Sequence, residues 1–177
     1  MVWVRSEYAG ELAVLSTWVT ALLPWNVFSG AVAGGTVLFV RFPFFQIRYA
    51  FGLPFLRAFD VSTPVSAYLL QRGTSVQPAY GLWIAGAAVY LVALAVAVYY
   101  YREEERVESW SVDPVTLLGS LLVVSAVAFL AASALFPERF FGLSLGVGGG
   151  LPGLSLPVGA VVQLLLGGVL LRAERVA

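Results

Sequence analysis

Cysteine, histidine and lysine are all missing from these 177 residues. Without cysteine there is no disulfide, no thiolate nucleophile and no iron–sulfur ligand. Without histidine the commonest metal ligand and general base is gone. Without lysine neither a Walker-type phosphate loop nor a Schiff-base mechanism can be built. Charge of either sign is scarce as well. Charged residues make up 11% of the chain against 60% hydrophobic, whereas a globular protein carries about a quarter charged. A soluble fold of this length could not cover itself with so little polar surface. The composition predicts an integral membrane protein.

Four windows carry no charge: Leu12–Trp25, Ala79–Tyr101, Val115–Phe136 and Leu154–Leu171. Two of them reach the roughly 20 residues that cross a hydrocarbon core as helix, and the others approach it. Asp113-Pro114 supplies an N-cap and a first-turn proline for the third window. Pro78 and Pro157 open the second and fourth, while Pro24-Trp25 closes the first. Trp25 and the run Tyr99–Tyr101 suit the membrane–water boundary. The expected fold is therefore an all-α membrane protein, one domain over residues 1–177 with four transmembrane helices at 11–25, 79–101, 114–136 and 155–171. Residues 26–78 form a long outer connection.

Arginine placement gives an orientation. Arg5, Arg102, Arg106, Arg172 and Arg175 lie in short segments on one side, against Arg139 on the other, which predicts a multi-pass cell-membrane protein with both termini cytoplasmic. The long connection is set aside because long loops follow this rule less closely. Glu7 and Glu11 make the N-terminus a poor removable signal.

The connection contains TVLFVRFPFFQIRYAFGLPFLRAFD (Thr36–Asp60). Pro43, Gly52 and Pro54 interrupt any helix, and three arginines would sit in hydrocarbon at a cost of about 2.5–3.5 kcal/mol each. It is not expected to cross. Gln46 and Arg48 alternate with Phe45, Ile47, Tyr49 and Phe51, a strand pattern bent at Pro43. Leu143, Leu145 and Val147 alternate too. A small β-rich, aromatic cap over the outer ends of the helices is expected, with its aromatic side chains on the helices and its arginines at the headgroup layer. Thr63-Pro64 marks the start of a short helix and Gly73 its end.

Arg41, Arg48 and Arg57 are candidate anion or lipid-headgroup ligands, because guanidinium forks match phosphate geometry. The plainer reading is that they snorkel to anchor the cap. In the fourth window Gly159, Gln163 and Gly167 fall four apart on one helical face, and Gly81 and Ala85 begin a similar stripe in the second. These five suit close helix packing, with Gln163 bonding across the interface. The second and fourth helices are the expected neighbours. A literal G-x-G-x-x-G at Gly148, Gly150 and Gly153 lacks the strand–helix context of a dinucleotide site and is set aside. The acidic run YREEERVE (Tyr101–Glu108) reads as a solvated helix end or a docking point for a cytoplasmic partner.

No Asp, Glu or Arg remains inside the four windows, which disfavours proton relays and ion-coupled pumps. The segments MVWVRSEYAGELAVLSTWVTALLPWNV and VLFVRFPFFQIRYAFG resemble a family of small, uncharacterised integral membrane proteins of halophilic archaea. The resemblance implies a membrane location and supplies no activity. The function expected is non-catalytic: an accessory or structural membrane subunit, or alternatively a lipid- or small-anion-binding or transport protein using the outer arginines. Membrane lipids, other membrane proteins and further copies of the chain are the expected partners. No cofactor, metal or nucleic acid is expected.

Overall fold

The computed structural model describes residues 8–140 and 151–173. Helix α1 (Ala9–Leu22) leads into strands β1 (Asn26–Val32), β2 (Gly35–Arg41), β3 (Gln46–Phe51) and β4 (Phe59–Ser62). A short helix α2 (Pro64–Leu70) precedes the long α3 (Gln77–Arg102), and the small α4 (Glu104–Glu108) links α3 to α5 (Pro114–Leu135). Strands β5 (Glu138–Phe140) and β6 (Leu151–Leu156) then run into α6 (Val158–Leu171).

The expectation of an all-α protein with four transmembrane helices is corrected by this architecture. Six strands form one sheet in the order β4-β3-β2-β1-β6-β5, antiparallel except for the β5–β6 pair. Only α3 and α5, with 26 and 22 residues, are long and apolar enough to cross a membrane among the described residues. Helices α1 and α6 have 14 residues each, or about 21 Å of helix against a hydrocarbon core of about 30 Å. The discrepancy has a simple cause. The charge-free windows ran through Pro24, where helix gives way to strand, and Pro157, where strand gives way to helix. Charge-free length is not helix length.

Local signals explain the elements. Thr63 caps α2 through a reciprocal pair of bonds with Ser66, and Asp113 Oδ2 accepts the Thr116 N–H at 2.8 Å to start α5. Ala33 and Gly34, with φ of 47° and 87°, make the two-residue turn between β1 and β2, a geometry with positive φ at both positions that matches strand twist. The alternating Leu143–Val147 piece lies outside the described residues.

The long helices pack along one another, and α6 packs along α5. Gly86 of α3 lets α5 approach so closely that a Cβ there would sit 2.8 Å from the Phe129 ring. Ser125 Oγ donates to the Gly86 carbonyl at 2.9 Å across the same contact. Between α1 and α3, the buried Tyr90 hydroxyl donates to the Thr17 carbonyl and lies 2.8 Å from Thr20 Oγ1.

Because β1 and β6 run antiparallel, the end of α1 and the start of α6 come together beneath the sheet. There the Gly159 and Ala160 N–H groups donate to the Pro24 and Trp25 carbonyls at 3.1 and 3.3 Å. These are first-turn donors with no partner inside their own helix. Any side chain at position 159 would collide with Pro24, so glycine is required for the junction to close. At the same level the Trp83 indole donates to the Pro43 carbonyl at 2.9 Å, and Phe44 stacks on Tyr90 with ring centroids 6.0 Å apart. The β2–β3 turn is thereby wedged against α3.

Candidate functional site

Side chains alternate across a strand, so the register assigns every sheet residue to one of two faces. Asn26, Arg41, Gln46 and Ser62 form one row across β1–β4. Phe28, Phe39, Arg48 and Asp60 form the next row on the same face, with Ser155 of β6 opposite Phe28. This face is turned toward the helices. Asn26 Nδ2 donates to Ser133 Oγ of α5 at 2.8 Å and to Ser155 Oγ at 2.7 Å. Its Oδ1 accepts from Arg41 Nη1 at 2.8 Å. Gln46 Nε2 donates to Ser62 Oγ at 2.8 Å. The Arg41 side chain is 1% exposed, and its guanidinium carbon stands 4.0 Å from the centre of the Phe136 ring and 5.0 Å from that of Phe39. Desolvated contacts of this kind are worth more than they are at a surface.

Over β1–β4 and the described part of β6, the opposite face carries no charge. Leu156, Val27, Val40, Ile47 and Val61 make a row across β6, β1, β2, β3 and β4, and Leu154, Ser29, Leu38, Tyr49 and Phe59 make the next. Ala31, Thr36 and Phe51 continue it. Much of this face is open: Phe51, Phe59, Val61 and Leu154 are 56%, 52%, 53% and 46% exposed. Tyr49 packs on both Phe51 and Phe59 within the face.

The sheet is thus inverted relative to the expected cap. The aromatic, aliphatic face points outward and the arginine-bearing face points inward. Alternation in the sequence defines two faces but is silent on which one is covered. The decision is made by partners distant in sequence, Ser133, Phe136 and Ser155, which give the buried Arg41 and Asn26 hydrogen-bond and ring contacts that isolated polar groups would lack.

Arg41, Arg48 and Arg57 are not gathered around one pocket. Arg41 is buried under the sheet; Arg48 pairs with Asp60 at 3.6 Å, each partly exposed; Arg57 is exposed in the β3–β4 connection. The helix-packing candidates also divide. Gly159 closes the strand–helix junction. Gly167 abuts α5, where an added Cβ would lie 2.9 Å from Val123 and 3.0 Å from the Gly119 carbonyl. Gln163 Nε2 donates to the Leu122 carbonyl of α5 at 3.3 Å. The neighbour of α6 is therefore α5 rather than α3. On α3, Gly81 faces Tyr68 of α2 and Ala85 is exposed, because the buried face runs through Ala79, Trp83, Gly86, Tyr90, Ala93 and Ala97.

Sequence reasoning missed Asn26, Ser133, Ser155 and Gly86. Asn26 had a signal, as a lone amide set directly after an apolar run and Pro24-Trp25. The two serines had none, since small hydroxyl residues are common in apolar helices and strands.

A family model described as a family of unknown function (DUF7549) matches residues 2–175, and the chain belongs to that family. No curated protein matches the sequence.

Proposed function

We propose, starting from membership of that family, that the chain is a non-catalytic integral membrane protein acting as an accessory or structural subunit. The observation that carries the reading is its inverted polarity. Of the most apolar stretches of α3 and α5, only 33% and 44% is buried, whereas a helix that is apolar all round in a soluble fold belongs in the core. The sheet repeats the pattern, with its polar side inward and its apolar side outward. Contiguous apolar surface on this scale is the mark of a lipid or protein contact.

In this reading α3 and α5 anchor the chain as a multi-pass protein of the cell membrane. Arg102 and Arg106 at the α3–α5 connection favour a cytoplasmic α4 and an outer sheet. Tyr8 and Ala173 lie at the α4 end of the bundle, which favours both termini being cytoplasmic. Ten arginines without lysine, and the sequence resemblance, favour a halophilic archaeal source. The outer sheet face then docks on the apolar surface of another membrane protein or of a second copy. The alternative, an anion or headgroup site built from Arg41, Arg48 and Arg57, has less support because the three occupy separate environments.

The test is purification in a mild detergent. Wild-type chain should elute with a partner or as an oligomer, and Ile47→Glu should abolish that association while the monomer stays folded. Association unchanged by Ile47→Glu and by Tyr49→Glu would rule out the sheet face as the docking surface.

A further inference from the structure

A second feature lies at the other end of the bundle, away from the sheet. Tyr8, Glu11, Leu15 and Trp18 fall three or four residues apart at the start of and along α1, so they share one face. All four are exposed. Across from them the end of α3 presents Tyr101, and Glu104 follows at the first residue of α4. Trp18 and Tyr101 meet edge to face with ring centroids 5.2 Å apart. Lower in the groove, Gly10 lets α1 close onto the Tyr100 ring. Together these residues enclose an open cavity of 530 Å³.

The lining chemistry is selective. It combines the aromatic rings of Tyr8, Trp18, Tyr100 and Tyr101 with two carboxylates, Glu11 and Glu104, and among the described residues contains no basic side chain. Among the described residues, neither Glu11 nor Glu104 has a salt-bridge partner; the ion pair of this region joins Arg106 to Glu103 at 3.8 Å. The neighbouring segment Arg102–Glu108 adds to the negative field, with Glu103, Glu104, Glu105 and Glu108 against Arg102 and Arg106. A hard metal ion calls for six or more oxygen ligands in a close shell, and two carboxylates among aromatic rings do not supply them. A neutral apolar ligand would leave both carboxylates unused. An alkylated ammonium matches both halves of the lining, because its diffuse charge is attracted by aromatic faces and balanced by the carboxylates.

We infer that the groove between α1 and the end of α3 binds an organic ammonium group. The group is carried either by a lipid headgroup or by a free small amine. The inference is independent of the sheet, so its failure and the failure of the docking reading are separate results.

The experiment is calorimetric titration of the full chain in detergent with choline. Dimethylbutanol, its uncharged carbon isostere, serves as control, and dihexanoyl phosphatidylcholine serves as the lipid arm. Saturable choline binding is expected, at least about tenfold tighter than the isostere, a preference that corresponds to one desolvated cation–aromatic and carboxylate contact set. Glu11→Gln combined with Glu104→Gln, both exposed, should weaken choline about tenfold with an unchanged melting temperature. Trp18→Leu should weaken it comparably. Tighter binding of the short-chain lipid than of choline assigns the headgroup as the source, and equal binding assigns the free amine. Equal binding of choline and its isostere, unaltered choline binding by the double variant, or no saturable binding of either choline or the lipid overturns the inference.

Discussion

Arg41 Nη1 donates to Asn26 Oδ1 at 2.8 Å, joining neighbouring strands at the row of the sheet that rests on α5. Asn26 also donates to Ser133 and Ser155, so one side chain of β1 is joined to β6, to α5 and, through the buried Arg41, to β2. Replacing it with leucine removes one buried hydrogen-bond partner from each of Arg41, Ser133 and Ser155. Asn26→Leu should destabilise the protein by about 3 kcal/mol, the scale for breaking a buried charged network by removing one member. Denaturant unfolding in detergent measures this. The double variant Asn26→Leu with Arg41→Met should cost less than the sum of the two single changes, because both delete the same Arg41–Asn26 hydrogen bond. Additive losses would mean that the two side chains do not act as a pair.

Adjacent glycines on α6 offer a sharp comparison. A Cβ at Gly167 meets Val123 at 2.9 Å, while one at Gly168 meets nothing within 4 Å. Gly167→Leu should cost about 1–3 kcal/mol through overpacking, and Gly168→Leu should leave the melting temperature almost unchanged. Equal effects would contradict the packing of α6 on α5.

Tyr90 ties α3 to α1 through its hydroxyl, with Thr17 and Thr20 as partners. Tyr90→Phe keeps the ring stacked on Phe44 and deletes only these bonds. A loss of about 1 kcal/mol is expected, and Thr20→Val should show little further loss in the Tyr90→Phe background. Stability unaffected by Tyr90→Phe would remove the hydroxyl from the account of the α1–α3 contact.

Part of this architecture was readable in the sequence because it depends on local chemistry. Asp113-Pro114 marks the start of α5 and Thr63-Pro64 that of α2, since capping residues and first-turn prolines act within a few residues. The strand character of β2 and β3 was readable from alternation about Pro43. The six-stranded sheet was not, because β1 lay unmarked at the start of the long connection, the end of β6 was absorbed into the fourth apolar window, and Pro24 and Pro157, which join them to helices, look like helix ends. Which face of the sheet is buried was also illegible, since Arg41 of β2 is held by Asn26 from another strand and by the ring of Phe136 just after α5. Arg41, Arg48 and Arg57 look equivalent in sequence. They part company only when tertiary partners are known.

Spin-label accessibility in native membranes measures which face of the sheet meets water. The chain has no cysteine, so a single introduced one carries the label unambiguously. Leu38→Cys places it on the apolar outer face, and Arg57→Cys places it in the exposed β3–β4 connection. The label at position 38 should be shielded from a water-soluble nickel reagent, while the label at position 57 reacts freely with it. Equal, water-like access at both positions would contradict an apolar outer face covered by lipid or a partner.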